Sequence, residues 1–243
     1  MKYHIFLQAR VNSSRFPKKI LKKIFEKTVF ELLVERLRLI DDSRIFLVTG
    51  PNSLNRELIN EAIKLDIEYF SGSEINVLDR FYHAAEKFSS KNIIRITGDC
   101  PLTSFELINQ AKEIFYDKQV DILSNNYMPR TYPHGFDFEI FKIDALKRSW
   151  NIMKKEKEEK FFSTFINPVM HILQSNNFKH YKMRNNIDQS HIRLTLDYQE
   201  DFLLIKSIFD RLYKKNHVFT SNEIIALLKN ESKLLDINKK FII

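Results

Sequence analysis

The segment YHIFLQARVNSSRFPKKIL, residues 3–21, is the stretch from which the rest of the chain is understood. Its first five residues form a largely apolar run of strand length, so Tyr3–Leu7 is expected to be a buried first strand. Directly after it come Arg10, Arg15, Lys18 and Lys19, with Ser13 and Ser14 between them. Arginine offers phosphate oxygens a planar fork of donors, and lysine adds a compact charge. In open α/β sheets ligands sit off the carboxyl ends of strands, so a strand followed by cations predicts a site for a polyanion. A solvated basic loop is the alternative. The loop holds no glycine, which excludes a Walker loop, where backbone N–H groups wrap the phosphate. Here side chains must do the holding.

Outward from this segment the chain alternates. Strands are expected at 44–49, 67–70, 92–97 and 120–124. Helices are expected at 28–40, 52–66, from about Asn76 onward, and from a Thr103–Glu106 cap to about Tyr116. That alternation predicts a parallel, right-handed α/β sheet of the nucleotide-binding kind. The chain has only four glycines, and Gly50, Gly72 and Gly98 each end an apolar run: IFLVTG, IEYFSG and IIRITG. They mark three strand ends where a ligand can approach the backbone closely. The second half differs. A loop leads into a strand within 129–141, helices fit 143–155 and 158–175, short strands fit 178–183 and 191–196, and two helices fill 199–229. One domain over 1–243 is expected, with residues 1–125 as a nucleotide-binding half. Residues 126–243 would form an acceptor half with C-terminal helices, and would offer the surface for a homodimer.

Composition narrows the partners. The 243 residues are 44% hydrophobic and 13% aromatic, which describes a globular chain with a sizeable core. No apolar run has the length of a membrane span and the start is charged too early for a signal peptide, so a cytoplasmic protein is expected. The single cysteine, Cys100, excludes a disulfide framework and a cysteine-based zinc site. The net charge is +8, yet lysines outnumber arginines 26 to 13 and are dispersed. The dispersed part reads as solvated surface and the clustered part as a site for a small acidic ligand. Nucleic acid is therefore not expected, although a basic RNA-binding protein is a rival.

Asp99 sits past the fourth strand in TGDCPL, facing the cationic loop. A carboxylate there suits Mg²⁺, which takes one or two carboxylates and otherwise water and phosphate oxygens. A turn aspartate before a helix is the alternative. Arg95 lies inside a strand and must be paired if buried.

The loop ARVNSSRFPKKIL resembles the signature A-R-x-x-S-S-R-x-P-G-K of the SpsF-like cytidylyltransferases, a branch similar to CMP-KDO and CMP-sialic acid synthetases. Ala9, Arg10, Ser13, Ser14, Arg15, Pro17 and Lys19 match, and Lys18 stands where the pattern has glycine. Three further motifs agree: GDCPL, YPHGFDFEIF and LTLDYQED, in the last of which Tyr198 and Gln199 replace the usual threonine and proline. The resemblance covers about residues 3–210. It implies a Rossmann-like nucleotidyltransferase fold of GT-A type, a mostly parallel sheet with flanking helices and a small α+β acceptor or dimerisation region. It implies transfer of CMP from CTP to a sugar or sugar acid, with release of pyrophosphate, in surface polysaccharide biosynthesis. By resemblance the nucleotide set is Gln8, Ala9, Arg10, Ser13, Ser14, Arg15, Lys19, Gly72, Ser73, Asn76, Arg80, Thr97 and Gly98. Around Gly72–Arg80 ordinary helix capping is an equal reading. The implied catalytic residues are Arg10, Arg15, Lys19 and Asp99, with Mg²⁺ on Asp99 and Asp197. Arg95, Tyr132, His134, Gly135, Asp137 and Glu139 would line the acceptor pocket, unless Asp137 and Glu139 belong to an exposed edge strand. Asp201 reads as a first-turn helix residue held by the dipole. The Glu-His pair of the family's E-R-E-H-V-T stretch is replaced in EEKFFST, 158–164. Rival readings are a nucleotidyltransferase for another NTP or a phosphorylated non-sugar acceptor, a glycosyltransferase, and a non-catalytic binding protein.

Overall fold

The computed structural model describes residues 2–155 and 177–242. The expected helix at 158–175 and the EEKFFST stretch lie outside the described residues. Strand β1, Tyr3–Gln8, is buried along both faces. Ile5 and Leu7 point into one apolar layer and Phe6 into the opposite one, as strand alternation requires. A strand buried on both sides belongs at the centre of a parallel sheet. There β1 pairs in parallel with β4, Ser43–Thr49, and with β6, Asn92–Thr97. A small hairpin precedes β4: β2, Lys23–Ile24, and β3, Lys27–Thr28. The remaining strands are β5, Glu68–Ser71, β7, Ile122–Ser124, β8, Glu139–Lys142, and β9, His180–Lys182. The seven-stranded order is β5-β4-β1-β6-β8-β7-β9, with β8 antiparallel to both its neighbours. This is the mostly parallel, helix-flanked sheet of Rossmann-like nucleotidyltransferases.

Helices α1, Val29–Leu37, α2, Asn52–Lys64, and α4, Phe105–Lys118, cover one face. Helices α3, Val77–Lys87, and α5, Ile143–Lys155, cover the other. Helices α6, Gln199–Leu212, and α7, Ser221–Asn230, build a third apolar cluster with Leu194, Leu196, Leu102 and Ile24.

Several expectations shift by local chemistry. Helix α1 ends three residues before Ile40, because Leu39 and Ile40 donate to Arg36 and Leu37 in a tightened last turn. The cap of α4 is Ser104, not Thr103. Ser104 Oγ accepts from Leu107 N at 3.1 Å, while the Thr103 hydroxyl donates back to Cys100 O. Glu106 caps α7 instead, accepting from Ser221 N at 2.7 Å. Residues 191–196 form no strand. They make one isolated bridge, His134 to Arg193, and otherwise tie two loops together.

Candidate active site

The carboxyl ends of β1, β4 and β6 lie level, since Gln8 is in register with Val48 and Thr97. The loops leaving β1 and β6 therefore face each other. Between them lies a cleft of about 420 Å³ lined by the 8–20 loop, Thr97–Asp99, Arg80, Arg95 and Asp197. A second cavity of about 210 Å³ shares Arg15, Arg95, Thr97, Asp99 and Asp197 with it, and adds His134, Asp137 and Glu139. Asp99 and Asp197 stand on the border between the two.

Asp99 and Asp197, expected to share a cation, both contact Lys19. Lys19 Nζ lies 2.9 Å from Asp197 Oδ1 and 3.4 Å from Asp99 Oδ2, and donates to Leu196 O at 2.6 Å. Asp197 also receives Arg15 at 2.8 Å and Arg193 at 3.1 Å. Burial pulls the Asp197 carboxyl up, but Lys19 and Arg15 outweigh it and hold it well below the ordinary range. Asp99 is freer. Its side chain is a third exposed, and its backbone carbonyl takes Leu196 N at 2.7 Å, which fixes the 194–197 segment beside it. Cys100, next to it, is buried. Burial and then the Asp99 charge push its thiol up, so it stays protonated.

The 8–19 loop is held from below. Val11 N donates to Asn55 Oδ1 at 2.9 Å, and Asn55 sits buried in α2 with a non-helical backbone. Lys18, at the position where the signature has glycine, adopts φ 54°, ψ 25°, the left-handed region. A non-glycine residue there costs about 1–2 kcal/mol, whereas glycine's extra freedom in the unfolded chain costs about 0.4–1. Lys18→Gly is therefore expected to raise stability by about 0.5–1 kcal/mol in urea denaturation. The Lys18–Glu57 pair lost in that variant is solvent-exposed on both sides and worth little.

Arg10 is exposed and pairs with Glu74 at 3.0 Å, at the mouth of the cleft. Arg80, in α3, is buried. Its Nη1 donates to Ser73 O at 2.7 Å, and burial pushes its pKa down to about 10 despite Glu74. Gly72, Ser73 and Asn76 stand behind the cleft wall. Gly72 lets Arg80 and Phe70 close over it, Ser73 holds Arg80, and Asn76 caps α3 through Asp79 N.

In the second cavity Glu139, at the start of β8, is 2% exposed and pairs with Arg95 at 2.8 Å. Arg95 also donates to Gln8 Oε1 at 2.8 Å. Asp137 lies before the strand and pairs with Arg130, so the two acids do not share a strand face. Each is taken by an arginine, which leaves no open D-x-E pair of the glycosyltransferase kind. Desolvation holds the His134 imidazole below its ordinary pKa, so it is neutral at pH 7. Tyr132 and Gly135 do not line the cavity. The Tyr132 ring belongs to the core, and Gly135, at φ +114°, lies where a Cβ would meet the Leu194–Thr195 backbone at 2.5–2.7 Å.

Asn12, Glu74, Val77, Asn126 and Thr195 line the cavities without having been expected. Asp201 lies in the first turn of α6, as expected, and is in addition wholly buried. It accepts from Arg193 Nε and Nη2, Asp197 N, Tyr198 N and Asn238 Nδ2 at 2.8–3.0 Å. What the sequence did not show was its partner Arg193, eight residues upstream across a loop, a pairing that periodicity cannot read.

A cationic loop after β1 facing a carboxylate after β6, across the ends of a mostly parallel sheet, defines a nucleotidyltransferase. The comparisons carry this further. Residues 5–230 match the family model described as cytidylyltransferase. An uncharacterised protein of Methanocaldococcus jannaschii is 35% identical over 84% of this chain and 82% of its own length. The spore coat polysaccharide biosynthesis protein SpsF of Bacillus subtilis is 28% identical over 91% of this chain and 92% of its own. The solved structure of a cytidylyltransferase from Leptospira borgpetersenii superposes with a TM-score of 0.86 at 26% identity, covering 97% of each chain. The chain belongs to the cytidylyltransferase family, whose members are CTP-dependent nucleotidyltransferases.

Among the described residues no helix is long and apolar enough to cross a membrane, and no three His, Cys, Asp or Glu side chains converge as a metal cage. Asp99 and Asp197 do offer hard oxygen donors within reach of one lysine ammonium. That donor set fits a divalent cation completed by water and phosphate oxygens, as magnesium or manganese requires.

Proposed function

We propose that the protein transfers CMP from CTP to a hydroxyl of a sugar or sugar acid and releases pyrophosphate, in the cytoplasm, for the building of a surface polysaccharide. The observation that carries this is Lys19 bridging Asp99 and Asp197 in one cleft, with Arg10 and Arg15 on its rim. The larger cavity is read as the CTP site and the smaller as the acceptor site, with residues 1–125 supplying most of the first. The acceptor class rests on SpsF's link to a coat polysaccharide and on the charged and polar lining of the second cavity.

In this reading an acceptor oxygen attacks the α-phosphorus in line. A new P–O bond forms, the bond to the bridging α–β oxygen breaks, and the hydroxyl proton leaves to water. Arg10, Arg15 and Lys19 neutralise the departing pyrophosphate. Arg15 and Lys19 now rest on Asp197, so the triphosphate must draw Arg15 away from it. A divalent cation held by Asp99 and Asp197, when bound, supplies charge neutralisation at the α-phosphate. Arg95, fixed by Glu139 and Gln8, faces both cavities and orients the acceptor against the nucleotide. The catalysis is positioning and charge stabilisation, with no covalent enzyme intermediate.

The test is thermal shift with each of the four NTPs and Mg²⁺, followed by pyrophosphate release with candidate sugar acids. CTP at about a hundred times its Kd is expected to stabilise the fold by about 2.7 kcal/mol. Equal stabilisation by ATP, GTP and UTP, or none by CTP, would overturn the assignment of the nucleotide.

A further inference from the structure

Residues 231–242 lie beyond the stretch that matches the family model, and they return to the segment that presents Asp197. Two 3₁₀ turns, Ser232–Ile237 and Lys239–Phe241, carry the chain back under the 193–201 segment. Asn238 is 1% exposed. Its Nδ2 donates to Arg193 O at 3.0 Å and to Asp201 Oδ1 at 2.8 Å. Asp201 Oδ2 in turn accepts from the backbone N–H groups of Asp197 and Tyr198, at 2.9 and 3.0 Å. Arg193, gripped by Asp201, reaches Asp197 Oδ2 at 3.1 Å. Three residues past Asn238, Phe241 stacks flat on Tyr198, with centroids 3.8 Å apart and planes 2° from parallel. The Arg15 guanidinium lies 5.4 Å from that same Tyr198 ring. Lys240 completes the contact by pairing with Glu200 at 2.6 Å.

We propose that residues 238–241 brace the phosphate end of the cleft, with Asn238 and Phe241 as positioning residues for Asp197 and Arg15. The proposal rests on the CTP reading above. Neither residue lines the cleft, and each acts through intermediaries. Asn238 acts on Asp197 through Asp201 and Arg193, and Phe241 acts on Arg15 through Tyr198. The brace is needed because residues 191–198 belong to no sheet, so the turn that presents Asp197 has no ladder of its own. Packing alone does not account for Asn238. Its Oδ1 is buried without a partner, a cost that an apolar residue of the same size would avoid. What an apolar residue would not supply is the pair of N–H donors to Asp201 and to the Arg193 carbonyl. The tyrosine at 198, where the family pattern has threonine, is the ring that Phe241 needs.

The test uses the full chain and needs no acceptor. CTP is titrated calorimetrically into wild type, Asn238→Ala, Phe241→Ala and Ile225→Ala at a series of Mg²⁺ concentrations, with Tm measured alongside. Ile225 is buried in the same C-terminal cluster and touches neither Asp197 nor Arg15, so its variant controls for lost packing. Displacing one charged hydrogen-bonding contact to the triphosphate is expected to weaken CTP binding about tenfold in Asn238→Ala and Phe241→Ala. In Asn238→Ala the Mg²⁺ concentration for half-maximal CTP binding is also expected to rise, because Asp197 is displaced. In Ile225→Ala the Tm falls while both binding readouts stay near wild type. Unchanged CTP affinity in the two brace variants, or an equal loss in Ile225→Ala, overturns the proposal. Should Asn238→Ala not fold, Phe241→Ala decides, since its ring is only partly buried. Absence of CTP binding by wild type would instead sink the reading on which the brace rests.

Discussion

Asp99→Asn is expected to lower turnover by about a thousandfold, equivalent to about 4 kcal/mol of transition-state stabilisation, while the protein stays folded. The two effects separate because of how Asp99 is held. Its side chain makes two long contacts, to Lys19 at 3.4 Å and to the Cys100 thiol at 3.8 Å, and is a third exposed. Its structural work is done by the backbone carbonyl, which takes Leu196 N and the Thr195 hydroxyl and is the same in asparagine. The amide keeps the shape but loses the charge that a divalent cation or the Lys19 ammonium requires. Thermal melting without ligand should therefore match wild type within a few degrees, whereas pyrophosphate release should nearly vanish. Full activity in this variant would refute the assignment of the cation to Asp99.

Asp201→Ala is expected to cost about 3–5 kcal/mol, the range for removing one partner of a buried ion pair. The magnitude shows how much its burial and hydrogen bonds add to its place in the first turn of α6. As a first-turn acid stabilised by a helix dipole, Asp201 would contribute about 0.3–1 kcal/mol. As the buried acceptor of five hydrogen bonds from Arg193, Asp197, Tyr198 and Asn238, it leaves the Arg193 guanidinium with Asp197 as its one carboxylate and strands two backbone donors when removed. Urea denaturation of the ligand-free protein measures the difference directly. A loss below about 1 kcal/mol would leave only the dipole contribution of a first-turn acid.

The nucleotide-binding half was largely legible because its signals are local. The run 92–97 becomes β6 with the expected bounds, since its six residues are bounded by a lysine and a glycine. Arg10, Arg15 and Lys19 gather at one cleft because a parallel strand ends where they begin, while Lys18 turns away to Glu57. The second half was less legible because its contacts are remote. The run HIRLTL at 191–196 alternates as a strand does, but its hydrogen bonds go to His134 and Asp99 instead of a neighbouring strand. Asp137 and Glu139 have the spacing of one strand face, yet the strand starts only at Glu139 and each acid finds its own arginine. Tyr132 and Gly135 belong to a motif that suggested a pocket lining. Their places are set by the core and by a backbone approach that no pattern of residue types reveals. The β2–β3 hairpin went unseen because each strand has two residues and its turn puts Phe25, not glycine, at positive φ.

The insertion of β8 between β6 and β7 bears on how the chain reaches its native state. In space β7 follows β6 only across a strand that the ribosome makes later. Until residues 139–142 have emerged, Asn92–Arg95 on β6 and Ile122–Ser124 on β7 both lack their antiparallel neighbour. A fragment ending at residue 125 would therefore carry an unsatisfied edge through its apolar middle, an invitation to aggregate. Synthesis must pass β8 before the nucleotide-binding half can close, and pairings of such long sequence separation slow the search. The two halves divide the chemistry between them, but they are knitted into one folding problem.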